Sequence, residues 1–515
     1  MFLAVNHRIK LVLVFIAVIG LLIWLFLPNN KARVAAEKTR QDLRADGFKV
    51  DLEEFDLSMP SALVANNETL MSTVDASRNM FSLRRLDLMR PMTSNSAMVT
   101  WKQENPAIDF IDDHFWSDLR KTLNESDGAL DRACQAIIAA PFRFKTVLAT
   151  NGELAPDVLR ARLLGATLAG RTIVELHDRH QPQAWTNWLA LTRLVTAWQT
   201  EPVEISHLIR FRWVSTAQRV TWEALQANDW SEAQLATLQR EWESPNFFAG
   251  LPETAALARA STVEFCNFQR RQPPAPGPTL REFISELINS PNHAWADATV
   301  GWRSARYRNY ESYEDERTWL LYFRDCETDY RRALGANSWL ELRHLPSATN
   351  SRPVGASGAL VRDASRMGPA GGPFQRQGQT LLARAAEAEA RRRLLVTAIA
   401  IERYHLANDS YPDSLSKLEP KFLRTCPKDF MDGETLRYRR VDHARFLLYS
   451  VGADGIDDGG KLPVDIGSYP VFGRAEGPDL VWPLPASADE VRDYAQAAET
   501  KRAGGSMRGL IRTKR

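Results

Sequence analysis

WLALTRLVTAW, residues 188–198, sets Trp188, Leu191, Val195 and Trp198 at helical spacing, with Arg193 and Thr196 falling between them. Apolar residues recurring every three to four positions form one stripe on a helix, and such a stripe is stable only against a neighbour. The neighbours lie on either side in the sequence. From about Phe110 to Leu345 the chain reads as successive amphipathic helices parted by short polar or Pro-containing turns. In one of them Asn228-Asp229-Trp230-Ser231 turns into SEAQLATLQREW, where Ser231 and Gln234 make an S-x-x-Q capping box. Leu163–Trp198 and Leu208–Trp242 form two helix-turn-helix units of about thirty-five residues, near the period of stacked helical hairpins but without a tetratricopeptide consensus. Residues 110–345 are therefore expected to be an α-helical bundle or short helical-repeat solenoid, whose units share a core because none covers its own apolar face.

Composition sets the outer bounds. The chain has 515 residues, 44% of them hydrophobic and 25% charged, enough for two or three packed domains and incompatible with wholesale disorder. Sixty-five Lys and Arg against sixty-three Asp and Glu leave a net charge of +2, which argues against a nucleic-acid partner. Cys134, Cys266, Cys326 and Cys426 are too scattered for a disulfide framework, and no CxxC or Cys/His cluster offers a zinc site.

Residues 11–27, LVLVFIAVIGLLIWLFL, carry no charge and are followed by Pro28. As a helix they span roughly 26 Å, close to a hydrocarbon core of about 30 Å, and Lys10 can snorkel to make up the difference. The run is long for a signal-peptide core and LPNNKAR lacks a small-x-small cleavage site, so it reads as a single-pass transmembrane anchor. Arg8 and Lys10 on one side face Lys31, Arg33, Lys38 and Arg40 on the other, so counting positive charges does not settle the orientation. A short basic N-terminus, residues 1–10, favours the N-in arrangement, with the bulk of the chain outside a bacterial inner membrane.

Residues 28–109 read as a connector with partial helix. Residues 346–378, rich in Gly, Pro, Ala and Ser, read as a disordered linker, because few large apolar side chains are present to offset the ordering entropy. Residues 379–485 then open a second domain. Its long Ala-rich helix, Gln379 to Leu406, is expected to bury Leu394, Ile399, Ile401 and Tyr404 or Leu406. Pro412, Pro420 and Pro427 punctuate the chain beyond that helix, and TLRYRR and RFLLYSVG, joined by VDHA, read as a β-hairpin. Residues 486–515 read as a disordered tail whose end carries Lys501, Arg502, Arg508, Arg512, Lys514 and Arg515 with no acid, suited to anionic lipid or wall polymer.

Four stretches of this second domain run in an informative order: AIERYHLANDSYPDSLSKLEP (400–420), LRTCPKDFMDGETLRY (423–438), FLLYSVGADGIDDGG (446–460) and VDIGSY (464–469). Together, from Leu394 to Asp479, they resemble the C-terminal domain of the major pseudopilin of type II secretion systems. The resemblance implies a long helix packed on a small antiparallel sheet and a C-terminal loop that binds calcium. Matched position by position, it points to Asp454 of GADG and Asp465 of VDIG as side-chain ligands, with backbone carbonyls such as those of Ser450 or Val451. Judged by its own chemistry, the loop sets Asp454, Asp457, Asp458 and Asp465 on a Gly-rich backbone. That is either an oxygen-rich cradle of the kind Ca²⁺ takes or a solvated acidic turn. The chain also departs from the family. NHRIKLVLVFIAVIG has neither the Gly of a prepilin cleavage site nor the Glu that comes after it in a pilin helix, and Phe430 replaces the Pro of the family's PxDP word. The expectation is the module without filament formation.

No sequence signature of catalysis stands out. GxSxG, Walker A and GxGxxG motifs are missing, and VELHDRHQP places His177 and His180 without HExxH spacing. Asp112-Asp113-His114 reads as a helix cap, and Cys266 as a buried apolar thiol with no His near it in sequence. The fifteen tryptophans fall mostly in helical stripes and read as core. The sequence thus predicts a membrane-anchored, non-catalytic scaffold of the bacterial envelope that contacts other proteins, in association with secretion or pilus-like machinery. The rival is an envelope hydrolase or glycan-binding protein with an exposed Trp groove in the helical region.

Overall fold

The computed structural model describes residues 30–76, 99–103, 114–149, 154–272, 306–349, 380–443, 445–461 and 479–484, with a few isolated positions besides. Helices α1 (Asn30–Ala45) and α2 (Ser61–Ala76) lie within the expected connector. Then come α3 (Phe115–Asn124), α4 (Asp127–Ala139), a short hairpin of β1 (Thr146–Leu148) and β2 (Leu154–Pro156), α5 (Leu164–His177), α6 (Gln181–Thr196), α7 (Glu204–Leu225) and α8 (Glu232–Glu243). The remaining elements are α9 (Leu251–Arg271), a π-turn at Tyr307–Glu311, α10 (Ser312–Ala333), α11 (Leu381–Asn408) and strands β3 (Arg437–Arg440), β4 (Phe446–Ser450) and β5 (Leu480–Trp482). The chain is mostly helical with a small antiparallel sheet.

The stripe on α6 is buried as its spacing predicts: Trp188, Leu191 and Val195 lose all exposure, and Trp198, just past the helix, is 2% exposed. Trp188 donates from Nε1 to Thr221 Oγ1 of α7 at 3.0 Å, so its one polar atom is satisfied inside the core. Arg193 leaves the stripe sideways and reaches Glu241 of α8 at 2.5 Å. Helix α5 approaches α7 so closely that a Cβ on Gly165 would lie 2.4 Å from Cδ1 of Trp213; only glycine fits there. The capping box at the start of α8 is formed: Gln234 N donates to Ser231 Oγ at 3.3 Å, and Ser231 N donates to Gln234 Oε1 at 2.9 Å.

Helix α11 is the hub of the fold. It packs against α7 and α8 along one side and against β4 and β5 along the other. Leu394, Ile399 and Ile401 are fully buried, whereas Leu406, one of the two alternatives for the last position, is 49% exposed and Tyr404 half-buried. One continuous apolar core therefore runs from Leu70 through the tryptophan-rich helices to Trp482. Polar bonds reinforce the joint. Trp222 Nε1 donates to Pro483 O at 2.8 Å, Gln239 Nε2 to Phe422 O at 2.7 Å, and Arg403 pairs with Glu232 at 2.5 Å. The Gly/Pro-rich composition of 346–378 does not divide this core.

The β3–β4 hairpin has Arg437 opposite Tyr449 and Arg440 opposite Phe446, and β4 also pairs antiparallel with β5, Leu448 facing Trp482. A second layer sits elsewhere: α9 and α10 run antiparallel, α1 lies along α10, and Leu43, Val50, Val263 and Leu320 make a small separate cluster. Among the described residues no helix is long and apolar enough to cross a membrane. The apolar run 11–27, the N-terminal ten residues, the linker beyond Thr349, the basic end 501–515, Asp112, Asp113 and Asp465 lie outside the described residues.

Candidate functional site

The acidic loop begins where β4 ends. Along that strand Phe446, Leu448 and Ser450 point inward, and the chain then turns through Val451–Gly460. The turn needs glycine: Gly460 has φ +69°, and a Cβ there would sit 2.7 Å from Cδ1 of Tyr449.

A residue that sequence inspection did not single out anchors the base of this loop. Asp429 is fully buried and accepts from Met431 N at 2.9 Å, Ser450 Oγ at 2.7 Å and Val451 N at 3.0 Å, joining the 429–434 turn to the end of β4. Burial pushes its carboxyl above the usual carboxylate range, with the Ser450 hydroxyl opposing the shift. Arg437 on β3 stands beside three acids: Asp432 at 2.5 Å, Asp429 at 3.4 Å and Asp457 at 3.6 Å. Asp429 and Asp432 lie in PKDFMDG, a stretch the family resemblance includes, so their position was visible although their role was not.

The four predicted acids do different things. Asp454 Oδ1 accepts from Ile456 N at 3.0 Å, a local turn bond, and its carbonyl accepts from Arg343 of the helical body at 3.2 Å. Asp457 accepts from Gly459 N and from the Tyr449 hydroxyl, both at 2.9 Å, and the Gly459 bond leads in holding its carboxyl below the usual range. Asp458 is exposed, and its backbone N–H donates to Asp479 at 3.1 Å. Asp465 lies outside the described residues.

Asp479, immediately before β5, closes the far side of the loop. It is 5% exposed, and its Oδ2 accepts from Gly460 N at 2.8 Å as well as from Asp458 N. Its Oδ1 is buried with no hydrogen-bond partner among the described residues. Desolvation raises its pKa, the two backbone bonds oppose the rise, and the charges of Asp457 and Asp458 add to it. No group of three His, Cys, Asp or Glu side chains is gathered for a metal among the described residues. The third strand is the signal that was missed: Leu480-Val481-Trp482 is too short to register as a strand by pattern, yet it fixes Asp479.

The other candidates are occupied locally. His177 Nδ1 pairs with Asp178 at 2.9 Å while its ring stacks on Trp116 at 4.4 Å, and His180 Nδ1 pairs with Glu175 at 2.9 Å. His114 stands at the start of α3 and makes no side-chain cap bond. Cys266 is fully buried and burial pushes its thiol pKa up, away from nucleophile behaviour. Among the described residues Trp188, Trp213, Trp222 and Trp242 are at most 2% exposed, and Trp101 and Trp185 are half-buried.

No family model, no curated protein and no solved structure matches the chain.

Proposed function

We propose that the protein is a single-pass, non-catalytic scaffold of the bacterial inner membrane, anchored by residues 11–27, with its bulk outside the cytoplasm and its pseudopilin-like C-terminal module engaging envelope proteins of secretion or pilus-like machinery. The observation that carries this reading is the shared core. Helix α11 fuses the sheet module to the α7–α8 hairpin, so the module is held rigidly on a helical bundle and its acidic loop is presented at a fixed place. Trp339 and Arg343 of the helical part reinforce that placement through the loop carbonyls of Ala453 (3.0 Å) and Asp454 (3.2 Å). Buried tryptophans support a scaffold over a glycan groove.

Membrane extraction and C-terminal reporter fusions test the anchor and its direction. Resistance to alkaline carbonate together with an active periplasmic reporter is the expected outcome; recovery in the soluble fraction, or an active cytoplasmic reporter, overturns the reading.

Calcium belongs to the same proposal. The orphaned Oδ1 of Asp479, beside the charges of Asp457 and Asp458, suits a hard cation, with Asp454 and Asp465 as the ligands the family resemblance implies. A bound cation would neutralise crowded carboxylates and stiffen the loop. Addition of Ca²⁺ to the EDTA-treated full-length protein in detergent should raise its thermal midpoint by several degrees, and Asp457→Asn with Asp479→Asn should abolish the response. An identical melt with and without calcium removes the metal.

A further inference from the structure

In the sequence only Pro28 and Asn29 separate the apolar run from α1. An extended residue covers at most about 3.6 Å, so the start of α1 lies within about 11 Å of Leu27. Helix α1 is not a free tether. Arg40 Nε donates to Glu316 Oε1 at 2.5 Å, Arg270 Nη2 donates to the other Glu316 oxygen at 2.6 Å, and Leu43 clusters with Val263 and Leu320. Whatever holds the N-terminus also holds this face of the body.

The pairings define which face that is. Arg40 is level with Glu316 and Leu43 with Leu320, so α1 runs parallel to α10. The nine residues from Arg40 back to Lys31, about 13 Å of helix, therefore lie beside the chain from Glu316 back to the π-turn Tyr307–Glu311, which α1 contacts. Helix α9 runs the other way and finishes at the same end, Arg270 bonding Ser312 and Arg308 donating to Gln272 O at 3.3 Å.

Lys31, Arg33, Arg271, Arg306 and Arg308 are thus collected at one end of a three-helix unit, with Tyr307 and Tyr310 half-buried among them. Lys31 and Arg33 are exposed and have no acidic partner among the described residues. Four carboxylates near this end are already engaged, two of them by cations of the set: Glu37 by Arg40, Glu264 by Arg271, Glu311 by Arg306 and Glu314 by the Tyr310 hydroxyl, so Lys31, Arg33 and Arg308 are the members of the set with no acidic partner among the described residues. Arginine and lysine with amphipathic tyrosines, at the level where an apolar span ends, is the chemistry of a lipid headgroup layer.

We propose that this basic end of the α1–α9–α10 unit rests on anionic phospholipid headgroups of the membrane that holds residues 11–27, so that the body sits on the bilayer in one orientation. This rests on the anchor reading and goes beyond it, since a span alone leaves the body free to tilt.

The test uses the full-length protein, tail included, in nanodiscs of phosphatidylcholine with or without phosphatidylglycerol. Asn309, exposed on the π-turn and remote in sequence from the anchor, is changed to Cys and labelled with a fluorophore; Cys426→Ser is added because the other cysteines are buried. Quenching by headgroup-attached nitroxide lipid should be strong in anionic discs. It should fall severalfold in pure phosphatidylcholine and in Arg271→Glu/Arg306→Glu/Arg308→Glu, with the corresponding Gln variant in between. The lipid arm needs no mutation, so misfolding of a variant leaves the comparison intact. Equal quenching in both lipids, or none, overturns the docking while the anchor stands; failure to enter the discs overturns both.

Discussion

Glu316→Ala is expected to destabilise the packing of α1 and α9 on α10 by about 3–5 kcal/mol, the usual cost of removing one partner from a buried ion pair. Glu316 is fully buried and accepts from Arg40 at 2.5 Å and Arg270 at 2.6 Å. Without it two guanidinium groups remain side by side, each mostly out of water and lacking its counter-charge. Arg270 keeps its bonds to Ser312 and its place 3.7 Å over the Tyr313 ring, so the strain falls on Arg40. Loss of protection should therefore concentrate in α1, read by hydrogen exchange, before the tryptophan core responds. Glu316→Gln keeps an acceptor and loses the charge, so its effect should be intermediate. Replacing the whole triad by Arg40→Met/Glu316→Leu/Arg270→Met should cost much less than Glu316→Ala, because no unpaired charge is left buried. Equal exchange of α1 in Glu316→Ala and the wild type would show that the apolar cluster around Leu43 holds the helix unaided.

What the sequence disclosed and what it hid divide along a physical line. Local patterns were legible: the Trp188 stripe, the Ser231–Gln234 box and the hairpin of Arg437–Arg440 with Phe446–Ser450 all derive from periodicities within a few residues. Packing between distant segments was not. The Gly/Pro-rich composition of 346–378 suggested two bodies, yet composition does not say whether the helix beyond it returns to the first core, and Leu394, Ile399 and Ile401 were equally able to cover a sheet alone. Helix α1 looked like part of a connector because its charges dominate; its role depends on Arg40 meeting Glu316 far along the chain. The acidic loop shows the same division. Asp454 and Asp457 were found by proximity in sequence, whereas Asp429 and Asp479, which fasten the loop at each end, act through partners some twenty residues away.

A second large effect concerns pH. Glu201 is fully buried where the chain passes from α6 to α7, accepting from Phe144 N at 2.5 Å and from Trp198 Nε1 at 3.1 Å, and burial pushes its pKa up to about 7 from 4.5. Nearby His207, on α7, is 1% exposed and bonded through Nε2 to Thr254 at 3.0 Å; burial and the charge of Arg210 lower its pKa to about 3 from 6.5. The two groups pull in opposite directions. Between pH 4.5 and 7 the unfolded chain has released the Glu201 proton and the folded chain keeps it, so stability from this group falls as pH rises. Between pH 3 and 6.5 the unfolded chain protonates His207 and the folded chain does not, so stability from that group rises with pH. Over the shared interval, pH 4.5 to 6.5, they largely cancel, and there the wild type hides both. Glu201→Gln keeps an acceptor for Phe144 and Trp198 and removes the ionisation. Its stability minus that of the wild type should be near a constant below pH 4.5, grow by on the order of 3 kcal/mol toward pH 7 and then level off. His207→Gln should show the opposite course: the wild type gains stability as pH rises from 3 toward 6.5 and the variant does not, so the difference, variant minus wild type, should fall by several kcal/mol through that interval.

Because Glu402 and other buried acids titrate in all three proteins, the difference curves from urea unfolding isolate the pair. A Glu201→Gln difference that is flat from pH 4 to about 8 would mean that the folded protein carries Glu201 ionised, with Arg210 as its counter-charge.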